Sequence, residues 1–229
     1  MIENDVLQLK DISFINEEFH ALEVSANQMD RLLAFGWRHF GTQFFRYSIG
    51  FYKNSIRRVI PLRVRLSNFK LSKSQRRIIN RNRELRAVTR PIEITAEKEN
   101  LFERHKLRFE QGVPESIFDF LSFSPSNVPC EGWEVCIYDR DKLLAASFFD
   151  VGFDSTSGIY AMFEPDENKR SLGILTMLHE IEFSTEQGKT FYYQGYAYEG
   201  TSFYDYKKRF NAIEKFDWNG NWTEFNEQI

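Results

Sequence analysis

Apolar positions recur along this chain with two different periods. In residues 59–66, Ile60, Leu62, Val64 and Leu66 fall on one side and Arg63 and Arg65 on the other. A period of two predicts a strand with one apolar and one cationic face. Residues 44–47 read as a strand before it. Three runs further on, 133–138, 143–149 and 158–163, also read as strands, the first two joined by a tight hairpin over 139–142. In 171–187 the period changes. Leu172, Leu175, Leu178 and Ile181 recur every three or four residues, which predicts a helix closed by Gly188. A buried strand over 190–194, then a last helix and strand, complete the chain. Upstream, the signals predict a helix over 28–35 capped by Asn27, a turn over 36–41, and a helix opened by Ser72 or Ser74 and running to about Glu84. An extended run over 85–94 follows, then a helix from Thr95 to Gly112 and a short one over 116–121. Residues 1–26 are weakly patterned, and there are no internal repeats.

The order of elements predicts the architecture. An antiparallel meander that enters a helix and returns in a parallel strand is the layout of GNAT-like acyltransferases. The expected fold class is α+β: a GNAT-like C-terminal domain over 93–229 and a small N-terminal α/β domain over 1–92, with Pro91 at the entry to the second. Such folds place an acyl donor where adjacent strands splay apart, and bind its phosphates at the N-terminus of the central helix. Lys169, Arg170 and Ser171 stand at that place here. The coenzyme A loop, R/Q-x-x-G-x-G/A, is matched only in part: Arg170 and Gly173 fit, and Leu175 occupies the last small position.

Charge changes the picture most. Residues 57–90 hold twelve Lys or Arg, ten of them Arg, and one acid, Glu84, in a chain whose net charge is −3. The remainder therefore carries −14. A basic stretch on an acidic body predicts a polyanionic partner held at one place, and the Arg excess favours forked contacts to phosphates. The alternative is a solvated helix face. A hydrophobic content of 42% with 23 Phe supports a sizeable core. No apolar run reaches the roughly 18 residues of a membrane span. Met1 to Asp5 lack the pattern of a signal peptide, so a cytoplasmic location is expected. Two cysteines, Cys130 and Cys136, make neither a disulfide scaffold nor a zinc motif, and His20, His39 and His179 show no metal spacing, so no metal site is expected.

Several stretches together resemble the aminoacyl-tRNA–protein transferases, the eukaryotic arginyltransferases and the bacterial leucyltransferases that act on acidic N-termini. They are Gly36-Trp37-Arg38-His39-Phe40-Gly41, Ile60-Pro61-Leu62-Arg63-Val64, and Lys73-Ser74-Gln75-Arg76-Arg77 with Arg81-Asn82. Downstream come Arg104-His105, the run from Gly158 to Glu167, Ser171-Leu172-Gly173, Glu180-Ile181-Glu182, Tyr193-Gln194-Gly195-Tyr196 and Tyr206-Lys207-Lys208-Arg209-Phe210. The resemblance implies transfer of an amino acid from charged tRNA to an acceptor amine, with aminoacyl-tRNA as co-substrate and no other cofactor. One departure stands out. Relatives carry a cysteine cluster, implicated in metal or iron–sulfur binding, where this chain reads Tyr52 to Val59 with no cysteine. The acceptor, a protein N-terminus in the relatives, is therefore left open between a protein, a dedicated peptide and a small molecule.

An aminoacyl ester is already activated, so positioning, an unprotonated amine and oxyanion donors suffice. On this reading Lys73, Arg76, Arg77, Arg81 and Arg83 hold tRNA phosphates, and Lys169, Arg170 and Ser171 take those nearest the aminoacyl end. Tyr193 and Tyr196 stand at the end of the buried strand, and Tyr206 and Lys207 belong to the late motif; these four form the expected catalytic set. Arg104 and His105 are expected to read an acceptor carboxylate. Glu180 and Glu182 are set either to select a cationic aminoacyl group, which gives arginine a slight preference over leucine, or to line a solvated helix face. Two other readings compete, an acetyl-CoA-dependent N-acetyltransferase and a non-catalytic RNA-binding protein.

Overall fold

The computed structural model describes residues 14–53, 55–109 and 112–225; Met1 to Asp5 lie outside these. β1 (Asn16–His20), α1 (Ala26–Ala34), β2 (Arg38–Phe40) and β3 (Gln43–Tyr47) come first, and the three strands form a small antiparallel sheet in the order β1-β3-β2. Ser25, not Asn27, caps α1: its hydroxyl accepts from the Gln28 N–H and the Gln28 side chain returns the bond. The Ser-x-x-Gln spacing of a capping box decides this. The expected turn over 36–41 contains β2, held between two left-handed glycines, Gly36 and Gly41.

The second sheet holds nine strands: β4 (Ile49–Tyr52), β5 (Ser55–Arg65), β6 (Arg86–Pro91), β7 (Gly132–Asp139), β8 (Lys142–Val151), β9 (Ser155–Phe163), β10 (Phe191–Tyr198), β11 (Ile213–Phe216) and β12 (Trp222–Glu224). Their order is β12-β11-β5-β10-β9-β8-β7-β6, with β4 paired to β5. The helices are α2 (Lys73–Arg81), α3 (Ala96–Lys106) and α4 (Leu172–Glu186). The meander β7-β8-β9, then α4, then the parallel strand β10 is the layout expected from the sequence. β5 lies between β10 and β11, so the expected boundary near residue 92 falls inside one continuous sheet.

Period-two patterning explains the layers. On one face Ile60, Leu62, Val64 and Tyr192 meet Met177, Leu178 and Ile181 of α4, and Val135, Ile137 and Phe149 meet Leu172, Leu175 and Ile78 of α2. On the other face Cys136, Phe148 and Met162 meet Leu101 and Phe102 of α3, while Tyr193 packs with Met29, Leu33 and Phe44 of the N-terminal unit. Leu62 and Val64 are no more than 1% exposed; each such side chain contributes about 1.5–3 kcal/mol. The cationic face of β5 is not open. Arg63 is buried, bonded to Glu214 at 2.6 Å, with its guanidinium 3.7 Å from the Phe191 ring centre and 4.2 Å from that of Trp222. Arg65 shares Glu214 at 2.7 Å. Phe191 and Trp222 cover Arg63, and the single Glu214 carboxylate offsets part of the charge of the two arginines.

One feature of the sheet positions everything that follows. β9 and β10 pair only from Ser155 to Ser157 against Phe191 to Tyr193. Beyond that β9 stays with β8 up to Phe163, and β10 stays with β5 up to Tyr198. Each strand is irregular where they part: β10 bulges between Tyr193 and Gly195, and the β8–β9 register shifts beside Gly158. The two strands splay, and a wedge opens between them.

Candidate active site

Two glycines line this wedge, Gly158 on β9 and Gly195 on β10. A Cβ at Gly158 would lie 3.1 Å from the Tyr192 hydroxyl and 3.2 Å from Glu180 Oε2. A Cβ at Gly195, where φ is +88°, would lie 3.3 Å from Lys207 Nζ and 3.6 Å from Arg38 Nη2. Their missing side chains leave the space into which Arg38, Lys207 and Glu180 reach, and Gln194 stands beside it in the sequence of β10. Arg38 enters from the N-terminal unit on β2, and its guanidinium donates to Ser157 Oγ and the Gly158 carbonyl. Burial lowers its pKa. Lys207 comes from the 3-10 turn Phe203–Arg209 and donates to the Tyr196 carbonyl at 3.0 Å. Desolvation, with the Arg38 charge adding to it, pulls the Lys207 amine from the usual lysine range to about 7. Glu180 of α4 is 2% exposed and accepts from the Tyr192 hydroxyl at 2.5 Å. Burial pushes its carboxyl up to about 7, against the pull of that hydrogen bond. Gln194, the bulged residue, is 4% exposed, and neither of its amide atoms has a hydrogen-bond partner. A buried, unsatisfied amide is costly and marks a place for a polar ligand.

Of the expected catalytic set, Lys207 stands at the wedge. Tyr206, beside it, packs against the α4 side of the core, and burial raises its pKa. Tyr193 and Tyr196 face the N-terminal unit. The Tyr193 hydroxyl accepts from Arg63 at 3.2 Å, and that of Tyr196 donates to the Gly36 carbonyl at 2.5 Å. The bulge puts these two, three residues apart, on one side. Arg104 is held by Glu164 at 2.6 Å, and His105 is buried with Nδ1 on the Phe163 backbone; burial lowers its pKa. Arg38, Glu180 and Gln194 stand in stretches quoted above, but no spacing rule singles them out. Glycines inside strand patterns were the available signal.

The basic residues divide into two groups. Arg63 is ion-paired and buried, and Arg65 and Arg90 are ion-paired with their side chains partly exposed. Lys73, Arg76, Arg77, Arg81 and Arg83, on and just after α2, are exposed. Ser72 caps α2 through a capping box with Gln75. The second basic group adjoins this helix. Arg81 donates to the Lys169 carbonyl, Asn82 Nδ2 donates to the Arg170 carbonyl at 2.9 Å, and Arg170 bridges Glu84 at 2.6 Å. Ser171 begins α4 at φ +57°, without a side-chain cap bond. α2 and the start of α4 therefore form one basic ledge. Among the described residues no helix is long and apolar enough to cross a membrane.

Comparison with known proteins identifies the family. The family described as arginine-tRNA-protein transferase, C terminus, matches residues 97–217, and its N-terminus counterpart matches residues 7–77. An aspartate/glutamate leucyltransferase of Shewanella oneidensis is 32% identical over 197 residues, covering 81% of this chain and 76% of that protein. The one of Campylobacter jejuni subsp. jejuni serotype O:6 is 25% identical over 211 residues, covering 86% and 83%. The crystal structure of FemX superposes with a TM-score of 0.51 at 10% identity over 89% of this chain and 68% of that one, a likeness of fold. With more than half its length matched by the transferase C terminus, the chain belongs to the aminoacyl-tRNA–protein transferase family and is an aminoacyltransferase.

Proposed function

We propose that the chain transfers leucine from leucyl-tRNA to the α-amine of a polypeptide acceptor with an acidic N-terminal residue. The observation that carries this reading is the wedge between β9 and β10, where Arg38 and Lys207 meet beside Gly195 and Arg38 reaches the Gly158 carbonyl. The exposed ledge of Lys73, Arg76, Arg77, Arg81, Arg83 and Lys169 takes the tRNA phosphates, and Arg170, half-buried between Glu84 and Glu167, braces it. No cofactor is needed, because the ester supplies the driving force.

The acceptor enters as its free amine, the ammonium proton having gone to solvent; its nitrogen attacks the ester carbonyl carbon and loses one N–H proton as the tetrahedral adduct forms. Lys207, with its amine near 7, is partly neutral at physiological pH and can take that proton. The carbonyl oxygen becomes an oxyanion, and the remaining N–H donors of Arg38 face the space where it forms. The C–O bond to the ribose breaks, and the leaving 3′ oxygen takes the proton from Lys207. The products are an aminoacylated acceptor and tRNA with a free 3′ hydroxyl. Holding ester and amine together accounts for about 7–11 kcal/mol of the barrier, and oxyanion donors for about 3–4 more.

Two observations favour leucine over arginine. The relatives compared are named leucyltransferases. Glu180 is enclosed with Tyr192, whose hydroxyl already donates to it, and burial weakens its ionisation; Glu182 is exposed on α4 beside His179, so neither is a free, fully ionised carboxylate for a cationic side chain. For the acceptor, Arg104 is already committed to Glu164. Arg108, exposed and stacked 4.4 Å from the Phe163 ring centre with no ion pair among the described residues, is the freer cation. Radiolabelled leucyl- and arginyl-tRNA, each offered with peptides beginning Asp, Glu or Ala, test the whole reading. Label is expected on the acidic peptides from leucyl-tRNA, and Arg108→Ala should erase the preference for Asp and Glu over Ala. Acetyl-CoA turnover without tRNA, or tight tRNA binding with no transfer to any peptide, overturns it.

A further inference from the structure

His39, Cys130 and Asp150 are far apart in sequence, and no spacing motif links them. The fold brings their ligating atoms within 4.8 Å of one another. They are 4%, 5% and 2% exposed. His39 lies on β2, Cys130 follows the loop that leads into β7, and Asp150 lies on β8. Asp150 Oδ2 is 2.8 Å from His39 Nε2, and Asp150 Oδ1 accepts from Cys130 Sγ at 3.3 Å. His39 Nδ1 is 2.8 Å from the Gly41 carbonyl, and its ring stacks on Phe44 with centroids 4.8 Å apart.

The hydrogen bonding leaves one question. A backbone carbonyl only accepts, so Nδ1 carries a proton. Nε2 of a neutral ring then presents a lone pair to a carboxylate oxygen, which also only accepts when ionised. Three arrangements resolve the conflict: a second proton on the ring, a proton on the carboxyl, or a cation shared by the two atoms. The surroundings favour the cation. A metal-bound imidazole characteristically donates its other N–H to a carbonyl, as Nδ1 does to Gly41. The third group is a thiol on the other oxygen of the same carboxylate.

We propose that His39 Nε2, Cys130 Sγ and Asp150 form a zinc site that fastens the N-terminal unit to the large sheet. Nitrogen, thiolate and carboxylate together suit Zn(II) at about 2.0–2.3 Å, with a fourth position left for water. Tetrahedral nitrogen and oxygen ligands at those lengths stand about 3.3 Å apart, so the 2.8 Å contact has to open by only a small amount. Binding replaces the thiol proton with the metal, and that proton goes to solvent. The site adjoins Arg38, so it also sets how β2 carries the guanidinium into the wedge.

The test uses the full chain. Expression with zinc, extensive dialysis and elemental analysis are expected to leave about one zinc per chain. Cobalt substitution should give a thiolate-to-cobalt charge-transfer band, absent in Cys130→Ser, and chelation followed by zinc addition should lower and then restore Tm. A wild-type chain that holds no zinc, and whose Tm responds to neither chelator nor metal, overturns the site and leaves a protonated His39–Asp150 pair. So does an undiminished band in Cys130→Ser. The wild-type measurements decide the matter even if the variants fold poorly, and none of them depends on the transfer reaction.

Discussion

Lys207 and Glu180 are two titratable groups pushed to about 7 from opposite directions, both chiefly by desolvation. Their consequences for pH are opposite in sign. Lys207 acts as a base, so kcat/KM is expected to rise with pH through about 7 and then level off. That limb should persist in Glu180→Gln, and its loss there would transfer the role to Glu180. For stability, the Glu180 carboxyl has a higher pKa folded than unfolded. The folded state holds its proton longer, so stability is full below the ordinary carboxylate range and declines as pH rises to about 7. Glu180→Gln should remove that decline, as read from urea unfolding at several pH values. The Lys207 amine has a lower pKa folded than unfolded, so its neutralisation costs stability at neutral pH. Lys207→Met is expected to lower transfer by about 10²–10⁴ while raising Tm. A fall in both would make the lysine a structural residue.

At the scale of elements, the bulge in β10 is the deciding feature. It makes Gln194 surplus to the ladder, moves Tyr196 to the same side as Tyr193, and lets Gly195 adopt φ +88°. Gly195→Ala is expected to cost about 1 kcal/mol or more in stability, because alanine disfavours positive φ. It should cost more in transfer, since the new methyl meets Lys207 and Arg38. Gly158→Ala places a methyl against Tyr192 and Glu180 without a positive φ. It is expected to lower kcat with little change in tRNA affinity; an equal loss of both would place tRNA contacts inside the wedge. The strands themselves were legible because period-two alternation reports burial directly. The bulge was not, since it depends on how β10 meets β5. The capping boxes at Ser25 and Ser72 show the same limit in small: local spacing predicts a cap, but the first of these was assigned two residues too late.

For the whole molecule, charge and topology have to be taken together. The excess in residues 57–90 points to a polyanion; the fold ion-pairs Arg63, Arg65 and Arg90 along the sheet and leaves the basic residues of α2 exposed beside the start of α4. Replacing Arg76 and Arg77 with Ala should weaken tRNA binding and reduce the slope of log affinity against log salt by up to about 2. Replacing Arg63 should instead lower Tm, because it leaves Glu214 without its closest partner. Unchanged tRNA binding by the α2 variant across several salt concentrations would remove the ledge from the reading. By itself the sequence determined the period of each main element, the meander–helix–strand order and the place of the basic helix. Those properties depend on neighbours within a few residues of one another. Only the tertiary structure decided where β9 and β10 part, which arginines are ion-paired, and that Arg38, Glu180 and Lys207 gather at Gly158 and Gly195. Each of these depends on contacts between segments that lie far apart along the chain, and no local period encodes them.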